Sequence, residues 1–122
     1  MRTARRARTP AQASGGEAEE QAARFLARQG LDIVARNYRT RFGEIDLVAR
    51  EGATLVFVEV RMRSSERFGG AAASIDSRKK DRIVAAARQF LARLRQEPPC
   101  RFDVVTLDGT APVWLRGAFE VY

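Results

Sequence analysis

The sequence predicts an α/β domain with element order α-β-β-β-α-β-β, on three observations. Two stretches carry apolar residues at helical spacing, three alternating runs lie between them, and 122 residues suit one domain with one core. Hydrophobic residues make up 45% and charged residues 30%, enough for a packed interior and too balanced for a disordered chain. Residues 1–15 read as a mobile basic tail and 16–122 as the single domain. Arg2, Arg5, Arg6 and Arg8 are followed by Ala, Gln, Ser and Gly, not by the apolar stretch of a secretory signal. No apolar run is long enough to span a membrane, and a cytoplasmic protein is expected.

The first helix is expected from Gly16 to Arg28, where Ala22, Ala23, Phe25 and Leu26 recur at helical spacing and Gly30 stands at the C-terminal stop. Glu19 falls on that apolar stripe, whereas Glu17 and Glu20 point away. Glu19 is then either an inward carboxylate with a task or one at the rim, eased by the positive helix N-terminus.

Three strand-like runs follow, Leu31 to Arg39, Glu44 to Arg50 and Thr54 to Arg63, with turns at Gly43 and Gly52. They read as an antiparallel meander. In the third, Val56, Val58, Val60 and Met62 alternate with Leu55, Phe57, Glu59 and Arg61; in the second, Ile45, Leu47 and Ala49 oppose Glu44, Asp46 and Val48. Burying the two apolar faces together puts Asp46 and Glu59 on one side of the sheet. A four-residue turn, Glu51 to Thr54, sets Asp46 across from Glu59 and Glu44 across from Arg61; a two-residue turn makes the two carboxylates diagonal neighbours. Like charges across a strand pair are unfavourable, so a cation belongs between them: a metal ion or Arg61.

After a Ser, Gly and Ala-rich loop from Ser64 to Ser74, a second helix is expected from Ser77 to Gln96, with Ile83, Ala87, Phe90, Leu91 and Leu94 on one face and Pro98 and Pro99 beyond its end. Asp76 or Ser77 caps it, and Arg78, Lys79 and Lys80 crowd its positive end, which suits an anion or a solvated charged surface. Two strand-like runs close the chain, Arg101 to Asp108 and Pro112 to Tyr122, the second broken at Gly117.

Absences narrow the chemistry. With no histidine and one cysteine, Cys100, the chain holds no Ser-His-Asp triad, no His-ligated zinc and no CxxC redox pair. A metal must be held by oxygen, which points to Mg²⁺ or Mn²⁺. No glycine-rich loop for a nucleotide phosphate is present. Lys and Arg number 22 against 15 Asp and Glu, a net charge of +7 that attracts polyanions, unless genomic base composition alone accounts for the arginines.

Gly43-Glu-Ile-Asp-Leu-Val48, Val56-Phe-Val-Glu-Val-Arg61 and Arg101-Phe-Asp-Val-Val105, in this order and spacing, resemble the YraN-like family of small bacterial proteins. That family is assigned to the restriction-endonuclease-like superfamily with the PD-(D/E)xK site, related to archaeal Holliday junction resolvases. The likeness runs from the helix around Glu19 to Gly117-Ala118-Phe119. It implies a restriction-endonuclease-like core with a mixed central sheet, an antiparallel meander plus a further strand, flanked by helices. By position Glu19 matches the superfamily's helical Glu, Asp46 its strand Asp and Glu59 its Glu, while Arg61 replaces the lysine. The resemblance thus implies that Glu19, Asp46 and Glu59 converge on one or two divalent ions at a scissile phosphate.

Arg61 stays protonated and cannot serve as a base, but it can hold the phosphate; Lys79 is a candidate to supply the missing cation from the side. A metal-dependent DNA endonuclease is expected, with branched or distorted DNA as the substrate the resemblance implies. Arg61, Arg63, Arg78, Lys79, Lys80, Arg5 and Arg6 are the expected DNA contacts. The resemblance also implies a homodimer, since resolvase-like enzymes cut two strands symmetrically. The alternative is a non-catalytic nucleic-acid-binding or adaptor module in which Arg61 neutralises the Asp46 and Glu59 pair. A protein interaction platform in DNA uptake or repair is a third reading.

Overall fold

The computed structural model describes residues 10–62, 75–108 and 111–119, the first six of these as backbone only. The elements are α1 (Pro10–Arg28), β1 (Asp32–Thr40), β2 (Gly43–Glu51), β3 (Thr54–Met62), α2 (Ser77–Leu91), β4 (Cys100–Leu107) and β5 (Val113–Phe119). The five strands form one sheet in sequence order. All neighbours are antiparallel except β3 and β4, which run parallel. A parallel pair needs a crossover, and α2 lies between those two strands in the chain. This is the mixed sheet that the family resemblance implies.

Helix α1 begins at Pro10, six residues before the expected start, so Pro10 to Gly15 join the helix instead of the tail. Pro suits the first helical position because its missing N–H has no intrahelical partner to lose. Residues 1–9, with Arg5 and Arg6, lie outside the described residues, as do Arg63 and the 64–74 loop. Helix α2 ends at Leu91, short of Gln96. Arg93 and Leu94 instead donate backbone bonds to Phe90 and Leu91, three residues back, the tightening common at helix ends. Asp76 caps its start, accepting from the Lys79 amide at 2.8 Å.

The two helices cover opposite faces of the sheet. Ala22, Ala23 and Leu26 of α1 pack on Leu47, Val56 and Val58, while Ile83, Ala87 and Phe90 of α2 pack on Val48, Leu55 and Phe57. Both alternating sets of β3 are therefore interior, and Leu55 through Glu59 are all buried. Burial on both faces is that of a sheet flanked by helices on each side. The turn joining β1 to β2 is clamped to α2: a Cβ on Gly43 would stand 2.3 Å from the Arg82 carbonyl oxygen. At the far edge Asp103, fully buried, accepts from Arg101 Nε at 3.0 Å, Trp114 Nε1 at 2.9 Å and the Gly117 amide at 2.8 Å. This ties β4 to β5 where their register shifts, and Gly117 takes φ +60° there.

Candidate active site

Along a regular strand, residues two apart share a face. On β2, however, Leu47 lies in the α1-side core and Ile45 in the α2-side core. The same switch occurs on β1, where Arg36 bonds Glu20 of α1 at 2.6 Å and Tyr38 stacks edge-on against Phe90 of α2. Between the switched pairs stand Asn37 and Asp46. The β1–β2 pairing steps from Arg36↔Leu47 to Tyr38↔Ile45 across them, and Asn37 adopts φ +50°. A left-handed backbone costs about 1–2 kcal/mol for residues with a Cβ, least for Asn and Asp, so Asn is a fitting residue for this corner.

The β2–β3 ladder runs from Glu51↔Thr54 only as far as Leu47↔Val58. That register corresponds to the four-residue turn and directs Asp46 toward Glu59. Where the ladder stops, the Asp46 side chain takes over: its Oδ2 accepts from the Val60 amide at 2.8 Å. The expected Glu44–Arg61 pairing does not form, because the strands have parted by that level. Glu44 instead meets Arg39 of β1 at 3.2 Å, and Arg61 turns to Glu59.

Glu59 is buried, its side chain 6% exposed, and one oxygen, Oε2, receives both Lys79 Nζ at 3.3 Å and Arg61 Nη1 at 3.4 Å. Burial first, and the facing Asp46 second, push its carboxyl up to about 7, against the pull of Lys79. Glu59 and Asp46 face each other, and the proximity of a second carboxylate favours the protonated form of Glu59. Glu19 reaches Asp46 from α1. Its pKa is raised by burial and then by Asp46, while a hydrogen bond with Asn37 opposes the rise. Asp46 thus stands between two carboxyls whose protons are held more tightly than usual.

All the expected catalytic residues, Glu19, Asp46, Glu59, Arg61 and Lys79, are joined in this one chain of contacts. The three acids do not close round a point: among the described residues no three of Asp, Glu, Cys or His form a group able to surround an ion. The donor chemistry still fits a hard cation, since Mg²⁺ is ordinarily held by one or two carboxylates with water and substrate oxygens completing its shell. Of the other expected DNA contacts, Arg78 is exposed, and Lys80 lies over the Phe119 ring at 5.6 Å, turned from Lys79 toward β5. Sequence reasoning missed Asn37. Its only signal was an Asn inside an otherwise strand-like run, a residue type that tolerates the left-handed region.

No helix among the described residues is long and apolar enough to cross a membrane. The family described as "Uncharacterised protein family UPF0102" matches residues 18–107. A UPF0102 protein of Cupriavidus taiwanensis is 57% identical over 110 residues, 89% of this chain and 84% of the relative. One of Nitrosomonas europaea is 53% identical over 109 residues, 87% of this chain and 92% of the relative. One of a Janthinobacterium species is 50% identical over 115 residues, 94% of both chains. With the match spanning the carboxylate chain, the second half of α1 and all of α2, this protein belongs to the UPF0102 family, the YraN-like proteins.

Proposed function

We propose that this protein is a metal-dependent endonuclease that hydrolyses phosphodiester bonds in DNA, with branched or distorted DNA as its substrate. The observation that carries the reading is the Asp46 and Glu59 carboxyls brought face to face where the β2–β3 ladder opens. Asp46 and Glu59 would hold Mg²⁺ or Mn²⁺, which when bound polarises the phosphate and acidifies water. Asp46 is fixed for this by the Val60 amide, and Glu19 supports it from α1. Burial and Asp46 hold the Glu59 proton up to about pH 7, so a metal ion that binds there must displace that proton, and its affinity rises with pH. Arg61 stays cationic and binds the phosphate; Lys79 supplies the second cation that the superfamily's lysine would give.

One observation favours a second reading. Lys79 and Arg61 both reach the same Glu59 oxygen, which offsets the carboxylate charge without any metal. The protein is then a non-catalytic nucleic-acid-binding or adaptor module. The deciding measurement is cleavage of labelled four-way-junction, flap, single-stranded and linear duplex DNA in Mn²⁺, beside EDTA and Asp46→Asn reactions. The nuclease reading expects cutting that both controls abolish. Binding without cutting on every DNA establishes the adaptor.

A further inference from the structure

Beside the carboxylates, the β1–β2 turn and the first turns of α2 enclose an open groove of about 580 Å³. Arg39, Arg41, Phe42, Glu44, Lys79 and Arg82 line it, four cations against one carboxylate. That carboxylate, Glu44, is engaged by Arg39. Arg41 and Arg82 have no carboxylate partner among the described residues. The groove therefore presents net positive charge to an incoming anion.

Its aromatic residue is placed where no core needs it. Phe42 is 51% exposed at the tip of the turn, with the Arg41 guanidinium 5.3 Å from its ring centroid. The turn is nevertheless stiff. Thr40 Oγ1 accepts from the Phe42 amide at 3.0 Å and from the Gly43 amide at 3.1 Å, and Gly43 is pressed against the Arg82 carbonyl. An exposed aromatic on a braced turn, flanked by guanidinium groups, is the pairing of stacking platform and phosphate contacts that holds unpaired nucleotides. Lys79 makes the groove continuous with the site, since it lines the one and reaches Glu59 in the other.

We propose that this groove binds a single-stranded segment of DNA, with one unpaired base stacked on Phe42 and its flanking phosphates on Arg41 and Arg82. The volume favours one or two nucleotides over a double helix, being in the roughly 300–1,000 Å³ range of sites for one small ligand. A base inside a duplex has both faces stacked on its neighbours, so a blunt duplex offers Phe42 only its two ends. The role as a substrate subsite rests on the nuclease reading above; the binding itself does not.

The test measures fluorescence anisotropy of a labelled single-stranded oligonucleotide and of a blunt duplex of the same sequence, in EDTA, with parent, Phe42→Ala and Phe42→Tyr proteins. The parent is expected to prefer the single strand. Phe42→Ala should weaken single-strand binding by between about 5-fold and 150-fold, the range for losing one base stack, and Phe42→Tyr should restore it. Equal affinity of the parent for both DNAs, or single-strand binding indifferent to Phe42→Ala, overturns the proposal. Cleavage in Mn²⁺ is scored separately. Cutting with no Phe42 effect on binding removes the groove and keeps the nuclease, whereas Phe42-dependent binding without cutting removes the nuclease and keeps the groove.

Discussion

Glu59 is the residue whose ionisation the fold disturbs most visibly. In the unfolded chain it titrates near 4.5, and in the fold near 7. Below pH 4.5 it is protonated in both states, and the stability this brings is fully present. As pH rises from there to 7 the unfolded chain loses the proton first, and that stability is lost. Glu59→Gln, whose amide can donate to Asp46 at any pH, escapes the loss. Urea unfolding in EDTA should therefore find the variant gaining on the parent between pH 5 and pH 8, by up to roughly 3 kcal/mol. A parent that gains on the variant over that range would contradict the burial of Glu59 beside Asp46. Asn37 offers a second residue-scale test. Alanine in its left-handed backbone should melt below Asn37→Gly by about 1 kcal/mol, both having lost the bond to Glu19. Equal melting of the two would mean that the corner relaxes when its side chain goes.

At the scale of elements, two contacts set how strands meet their neighbours. Gly43 lets β2 start against the backbone of α2, and Gly43→Ala must push the Arg82 carbonyl away. Overpacking of this kind costs about 1–3 kcal/mol, and the displaced turn carries Phe42 with it. Chemical denaturation should show that loss together with weaker single-strand binding; an unshifted midpoint would mean the turn lifts freely. Asp103 does for β4 and β5 what hydrogen-bonded rungs cannot do at their irregular step. Asp103→Ala leaves the Trp114 and Gly117 donors unpaired and Arg101 dependent on Glu51 alone, 2.8 Å away. A loss of about 3–5 kcal/mol is expected, as for breaking other buried ion pairs. A loss below 1 kcal/mol would show that water replaces the carboxylate.

For the whole molecule, metal and DNA are the external partners to be tested. Mn²⁺ at about 100 times its Kd should stabilise the fold by about 2.7 kcal/mol, read as a rise of several degrees in Tm. Asp46→Asn should remove that rise. A parent whose Tm ignores Mn²⁺ would favour the adaptor reading. The net charge of +7 adds a sequence-independent attraction for DNA that must fall with salt, so affinities are compared at fixed ionic strength.

Periodicity determined the seven elements and their order, and left the β2–β3 register between two turn lengths, which the Glu51–Thr54 pairing decides. Helical and strand spacing are local properties, and the short Gly52 turn fixes how β2 meets β3. The motifs around Asp46, Glu59 and Asp103 were equally legible as spacings. The meeting of Asp46 and Glu59 was reached from parity, although the parity of β2 itself fails at Asp46. Ile45 and Leu47 part to opposite cores because Asn37 turns β1 over at the same level, a pairwise event between strands that neither strand's pattern contains. Burial of β3 on both faces likewise needed both helices in place. Lys79 and Phe42 show the same division. Their residue types are local facts, but a lysine from α2 reaches a β3 carboxylate, and a turn phenylalanine borders a groove with α2. Contacts between elements distant in sequence decide both, through packing that no local period records.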